Sequence, residues 1–292
     1  MKKSSKLIQK INIFDVLISF VLLLFALMAL YPFVYTLAGS FNDGVDFGYG
    51  GIWLFPRKFT LANYTTVLND ARLYRAFVNT LISTVVGVAL ALTFTSCVAY
   101  AMSHPKLKAK KFFWVFNMIT MFFSGGLVPY FILILVLGLF DSFLVYIIPG
   151  MYSVYNMIVL SSFFKSIDSG MRESALIDGA SEFRIWWSLY MPVSTPALAT
   201  VGLWVAVARW NSYMPTLVYT SKDESMWLLQ YYLMRIIKDS SMPDVDASVS
   251  QEVTAKTISF AAIIVATVPI FCVYPFVSKY FTKGIMLGAV KG

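Results

Sequence analysis

Six apolar segments, each long enough to cross a bilayer, decide most of what this chain can become. Crossing about 30 Å of hydrocarbon takes roughly 20 helical residues. That requirement is met from approximately Ile13 to Leu37, Arg75 to Met102, Phe112 to Gly138, Phe143 to Phe164, Thr195 to Leu217 and Thr257 to Val277. The first run is too long for a signal peptide and is followed by no small-residue cleavage site, so it is expected to stay as a membrane helix. With 59% hydrophobic and 13% charged residues and a mean hydropathy of +0.72, the chain reads as an integral membrane protein. The expected fold class is an all-α membrane protein of six transmembrane helices. In the third, Gly125, Gly126 and Pro129 predict a backbone adjustment.

The net charge of +8 matters less than its distribution. Lys2, Lys3, Lys6 and Lys10 precede the first span, and Lys106, Lys108, Lys110 and Lys111 follow the second. Lys165, Arg172 and Arg184 follow the fourth, and Lys279, Lys283 and Lys291 lie in the tail. The alternate loops are longer and more acidic, with Asp43, Asp46 and Asp70 in the first and Asp223, Glu224, Asp239, Asp244, Asp246 and Glu252 in the last. By the positive-inside rule both termini are expected to be cytoplasmic. This charge is thus accounted for by the membrane, and no nucleic-acid partner is expected.

The loop 165–194 is therefore cytoplasmic, and it contains ESALIDGASEFRIWWSLYMP from Glu173. Asp168, Ser169 and Gly170 are start signals for a short helix carrying Glu173, Ser174 and Ala175, and Gly179 breaks it. Ser181 caps a second helix, which Pro192 ends. In it Phe183, Trp186, Trp187 and Tyr190 fall at i, i+3, i+4 and i+7 as one apolar stripe. The small residues Ser174, Ala175 and Ala180 are expected to be exposed, where another backbone can approach. The arrangement suits a plug for a cleft in a soluble partner. The plainer reading is a cytoplasmic loop that happens to be amphipathic.

Other chemistries find little support. Cys97 and Cys272 lie in apolar runs and are expected to be small buried hydrophobes. His104 is the only histidine, and no set of side chains has metal-ligand or Ser/His/Asp spacing, so no catalytic residues and no metal are expected. The chain lacks a G-x-x-x-x-G-K-[ST] loop, and FSGGL from Phe123 lies in a span without the polar residue of an ATPase signature, so no cofactor should be bound by the chain itself.

The loop carries the residue pattern of a known motif. ABC importer permeases contain a cytoplasmic E-A-A, three residues, G, nine residues, I, one residue, L-P. Here it stands as Glu173, Ser174, Ala175, Gly179, Leu189, Met191 and Pro192, with every interval kept and Ser, Leu and Met as the departures. FFSGGLVPYFILI from Phe122, YNMIVLSSFFKSI from Tyr155, PALATVGLWVAVARWNSY from Pro196 and KGIMLGAVKG from Lys283 extend the likeness over most of the chain. The sequence strongly resembles the carbohydrate-uptake branch of ABC importer permeases, in its maltose-permease G-type and LplC- and YtcP-like groups. The resemblance implies a type I ABC importer permease fold in a bacterial cell membrane. It divides the chain into residues 1–74 (N-terminus, first span and external loop), 75–277 (a core of five spans with the loop 165–194) and 278–292 (tail).

It also implies partners: a second permease subunit, a dimer of cytoplasmic ATPases that use ATP and Mg, an extracytoplasmic solute-binding protein and an oligosaccharide substrate. Glu173, Ser174, Ala175, Asp178, Gly179 and Ala180 would contact the ATPase, and so would the tail at Ala289, Val290, Lys291 and Gly292. An ion-coupled secondary transporter is the competing class. It would need ionisable groups at the midplane, for which Arg209, Asp15 and Asp141 make a poor set. A polytopic membrane enzyme is a third class, disfavoured by the lack of convergent acid, base or metal groups. For the substrate path the candidates are Arg209, Trp210 and Asn211 in the fifth span and Tyr152, Tyr155 and Asn156 in the fourth, because aromatic faces with amide and guanidinium donors suit a sugar. Against this, Arg209 could pair with a carboxylate of the partner subunit, and aromatics at span ends are often interfacial. Asn79 and Asn117 are expected to bond between helices.

Overall fold

The computed structural model describes residues 13–240 and 253–289, with side chains described up to residue 239 and from 253 to 272. The expected tail contacts at Val290, Lys291 and Gly292, the side chain of Ala289, and the charged residues of the N-terminus and of positions 241–252 lie outside the described residues. No strand forms among those described, only an isolated bridge between Asn42 and Phe59. In chain order the α-helices are α1 (Ile13–Ser40), α2 (Gly44–Gly48), α3 (Ala62–Leu68), α4 (Ala71–Ser103), α5 (Lys110–Phe122), α6 (Leu127–Val136), α7 (Val154–Lys165), α8 (Ser169–Ile177), α9 (Glu182–Ile185), α10 (Met191–Val193), α11 (Thr195–Trp210), α12 (Leu229–Ser240) and α13 (Ala255–Ala289).

Three of the six expected spans are continuous helices: α1, α4 and the stretch Ala255–Cys272 of α13. The others are broken. The third is α5 and α6 joined at 114°, because Ser124 to Gly126 leave the helix and Gly126 adopts φ +84°, a conformation only glycine takes without strain. What the sequence presented as a backbone adjustment is a sharp turn. The fourth opens as 3₁₀ turns at Phe143–Tyr146 and Ile148–Gly150, then bends by 44° into α7. The fifth ends as α-helix at Trp210, short of the expected Leu217. Its sixteen residues rise about 24 Å. Asn211 turns its side-chain amide back to the Val207 carbonyl at 3.0 Å and ends the helix, and the chain re-forms as a π turn over Thr216–Thr220 after Pro215. With each bent pair taken as one span, the fifth being Glu182–Val193 joined to Thr195–Trp210 at 84°, the count is up to six.

The described residues form two compact units, one of residues up to 69 with 239–265, the other of 70–238 with those from 266 onward. In the first, the most apolar window of α1 buries none of its residues. Past its end, Asn42 is the structural centre. Its carbonyl accepts from the Arg57 and Lys58 amides at 2.8 and 3.1 Å, while its amide donates to the Asp43 carbonyl and the Asp46 carboxylate, each at 2.9 Å. Tyr35, Phe47 and Phe260 stack edge to face beneath this loop.

The second unit is organised by α4. Asp70 caps it, accepting from the Arg72 amide at 2.8 Å, and His104 before Pro105 ends it. Ala76, Thr80, Ser83, Thr84, Gly87, Ala91, Thr95 and Ala99 form a buried seam of small residues at three- and four-residue intervals. In lipid, helices associate where small side chains let backbones approach, and α7 and α11 both pack on α4. Gly202 of α11 lies so close that an added Cβ would meet Leu92 at 3.2 Å. Around the lower part of α4, Tyr100, Met157, Leu160, Phe164, Ile185, Trp186, Tyr190 and Val201 close a core that joins α4, α7, α9 and α11. Cys97 and Cys272 are exposed and free, contrary to the expected burial; each lies on an outward helix face.

Candidate functional site

The loop 165–194 folds as two capped helical turns on a fixed base. Asp168 accepts from the Gly170 amide at 2.9 Å and starts α8. Gly179, at φ +76°, reverses the chain, so that the Ala180 amide reaches the Ala175 carbonyl and the Gly179 amide the Leu176 carbonyl, both at 3.0 Å. Ser181 then caps α9 by accepting from the Arg184 amide at 3.3 Å. No residue of α8 is buried. Glu173, Ser174, Asp178 and Gly179 are exposed, and Ile177 is 87% exposed. Ala175 and Ala180 are not on that face: they are half-buried against the core, which corrects the expectation that all the small residues point outward. The aromatic stripe also divides. Trp186 and Tyr190 are buried, while Phe183 and Trp187 are exposed. From Trp186 to Tyr190 the chain is a π turn, with more residues per turn than an α-helix, so the i, i+3, i+4, i+7 spacing no longer holds one face and the core takes only one edge of the stripe.

A polar cluster that the sequence left unremarked ties this loop down. Glu182 accepts from Arg172 Nη2 on one oxygen and from the Tyr100 hydroxyl, at 2.5 Å, on the other. It thereby links α8, α9 and the end of α4. His104 Nε2 lies 3.7 Å from the same carboxylate, and His104 Nδ1 accepts the Lys106 amide at 3.0 Å, which assigns the proton to Nε2. Burial raises the Glu182 pKa, but the bonds from Arg172 and Tyr100 outweigh it and leave the group below its ordinary value. His104 is also lowered, by burial and then by the Arg172 charge. Glu182 in the first turn of a capped helix was the only local signal, because its partners lie 10 and 82 residues away.

A second feature is an open cavity of about 460 Å³ bordered by α4, the 3₁₀ turns, α7 and α11. Three of the sequence candidates, Arg209, Tyr152 and Asn156, line it. The other three do not. Trp210 is buried edge-on against Phe77, Tyr155 is exposed beside Trp204, and Asn211 caps α11. Trp204, Ser83 and Ser212 line it without having been anticipated. Arg209 donates from Nη1 to the Tyr146 carbonyl and from Nη2 to the Ile147 carbonyl at 3.3 Å. Tyr146 is itself held by its hydroxyl, which bonds Thr216 at 3.0 Å, Thr220 at 2.5 Å and the Met226 carbonyl at 2.9 Å. The guanidinium fits because two glycines make room: a Cβ on Gly87 would stand 2.3 Å from its Cζ, and one on Gly150 would stand 2.6 Å from Nη2. Asn117 accepts from the Tyr152 hydroxyl and so bridges α5 to the residues before α7. Asn79 reaches a loop instead of a neighbouring span, donating to the Ser225 and Trp227 carbonyls at 2.7 and 3.1 Å.

Among the described residues no group of three or more His, Cys, Asp or Glu side chains could hold a metal ion. What the site offers is a surface helix on a braced base and a largely apolar cavity between membrane helices, with Arg209, Asn156, Ser83 and Ser212 among its few polar groups.

Known proteins share this architecture. Residues 109–286 match the family model described as binding-protein-dependent transport system inner membrane component. The polygalacturonan/rhamnogalacturonan transport system permease protein YtcP of Bacillus subtilis (strain 168) is 36% identical over 97% of this chain and all of its own length. Protein LplC of the same organism is 34% identical over 89% of each chain. A chain from the crystal structure of a bacterial ABC transporter involved in the import of the acidic polysaccharide alginate superposes with a TM-score of 0.85 at 33% identity, over 92% of this chain and 96% of that one. With over half its length matched by the family model and nearly all of it aligned to a curated permease, this chain belongs to the binding-protein-dependent transport system inner membrane components.

Proposed function

We propose that this chain is the transmembrane permease subunit of an ATP-driven, binding-protein-dependent importer of oligosaccharides in a bacterial cell membrane. In this reading both termini and the loop 165–194 face the cytoplasm. A second permease subunit completes the pathway as a heterodimer, and a solute-binding protein delivers sugar on the outer side. A dimer of ATPase subunits binds ATP and Mg, which this chain does not.

The observation that carries the coupling role is the exposure of α8 on a base packed into the core. A helix with no buried residue, presenting Glu173, Ser174 and Ile177, is poorly explained as packing within this chain. It is followed at once by Ile185, Trp186 and Tyr190, which are locked in the core between α4, α7 and α11. A force applied to α8 is therefore delivered to the helices that wall the cavity. Coupling needs differential contacts in two states; this reading assigns them to α8 through Glu173, Ser174, Asp178 and Gly179, with Ala175 and Ala180 bracing it from behind. The family match and the names of the relatives favour this reading over ion-coupled transport.

Purification of the chain from its native membrane is expected to recover an ATPase and a second six-helix permease. Glu173→Lys reverses the charge on the exposed face and should leave the complex inserted while separating ATP hydrolysis from uptake. Normal uptake by that variant would refute the role of Glu173.

A further inference from the structure

We propose that the cavity beside Arg209 receives the carboxylate of a uronic-acid unit as the oligosaccharide passes through. This rests on the importer reading and deepens it by naming the substrate class. A guanidinium placed among membrane helices is costly unless its charge is answered. The usual answer is a carboxylate, yet among the described residues none lies within ion-pair distance of Arg209. Of its five N–H groups, two donate to the Tyr146 and Ile147 carbonyls, which leaves three. Those carbonyls hold the planar fork in place without neutralising it. Gly87 and Gly150 clear the space it occupies, so the cation is accommodated by the backbone on two sides and lines the cavity.

The remaining lining fits a sugar acid. Asn156 is 8% exposed; its backbone amide donates to Ser153 Oγ at 3.4 Å, while its side-chain amide has no hydrogen-bond partner among the described residues. At a cavity wall this side-chain amide, which can both donate and accept, is a ready partner for ring hydroxyls. Tyr152 and Trp204 supply aromatic faces for the apolar side of a pyranose. The volume lies within the range of about 300–1,000 Å³ usual for ligand sites. A neutral sugar would satisfy Asn156 and the aromatics but not the charge, whereas a uronate satisfies all of them, with its carboxylate accepting from the free edge of the guanidinium. A lipid phosphate offers the same anionic chemistry, though not the match to Asn156 and the aromatic walls.

The test uses the whole transport complex, purified with this chain and placed in phosphatidylcholine nanodiscs without the solute-binding protein. Trigalacturonate and its carboxyl-reduced counterpart are compared by equilibrium dialysis. The expected result is a preference for trigalacturonate of about tenfold or more. Arg209→Gln should bring the ratio close to one with the ATPase still bound. Gly87→Ala keeps the charge but takes the space of the guanidinium, and should also lower the ratio. Equal binding of the two trisaccharides by the unaltered complex would overturn the proposal, whatever the variants do. So would loss of the preference in phosphatidylglycerol nanodiscs with that lipid retained through Arg209, because the cation would then serve a headgroup. Failure of the importer reading appears separately, as absence of an ATPase from the purified complex.

Discussion

Replacing Glu182 by Gln should loosen the loop 165–194 by about 1–2 kcal/mol. The figure follows from the geometry. Glu182 accepts one bond from Arg172 and one from Tyr100, and hydrogen bonds to charged groups contribute about 1.5–3 kcal/mol each. The carboxylate side chain is 49% exposed, so solvent screening removes much of this, and Gln can still accept from Tyr100. The assay is trypsin cleavage of the folded complex at Lys165 and Arg184, which flank the brace. Cleavage through local opening tracks the opening equilibrium, so 1–2 kcal/mol should accelerate it roughly 5- to 30-fold. Tyr100→Phe removes one bond and no charge, and combined with Glu182→Gln it should show a coupling of about 0.5 kcal/mol or more. Unchanged cleavage in Glu182→Gln, or strict additivity of the pair, would refute the brace.

The same cluster predicts a pH dependence. Because the folded pKa of His104 is lowered from 6.5, its stabilising effect is complete above that value and is lost as pH falls towards the folded pKa, where Nδ1 must take a proton and release the Lys106 amide. Glu182, lowered from 4.5, adds a second loss below that value. Loop cleavage by an acid-tolerant protease should thus rise as pH drops below 6.5, and His104→Asn should flatten the first phase. Gly179→Ala meets nothing within 4 Å, so its cost is the left-handed backbone alone, about 1–2 kcal/mol, read as weaker retention of the ATPase on the purified permease. Asn42→Ala removes four hydrogen bonds in a fully buried position and should cost about 3–4 kcal/mol, read as lost exchange protection at the Arg57 and Lys58 amides.

Much of this protein is legible in one dimension because the signals are local. Membrane helices announce themselves by length and hydropathy, and α1, α4 and α13 stand where the apolar runs predicted them. The caps of the loop are equally local. Asp168, Gly179 and Ser181 act within four residues of themselves, and their effects were readable from type and spacing. The breaks were harder. Gly125 and Gly126 marked the third span, but nothing local separates a mild kink from a turn of 114°. The end of α11 at Trp210 depended on Asn211 folding back on its own helix instead of continuing it.

The substrate candidates show where reading residue by residue stops. Six polar or aromatic residues in two spans were plausible on chemistry, yet only Arg209, Tyr152 and Asn156 reach the cavity. Which side of a helix faces inward depends on α4, whose small-residue seam draws α7 and α11 together and fixes their rotation. The Arg172, Tyr100, Glu182 and His104 cluster was invisible for the same reason, because Tyr100, 82 residues from Glu182, reaches it only once α4 has packed against the loop. By itself the sequence determined that the chain is a helical membrane protein with a capped surface loop, since those properties follow from hydropathy and short-range backbone chemistry. Only the tertiary structure decided what braces that loop and which of the candidate residues reach the cavity, because side-chain partners at long separation exist only once the helices have packed.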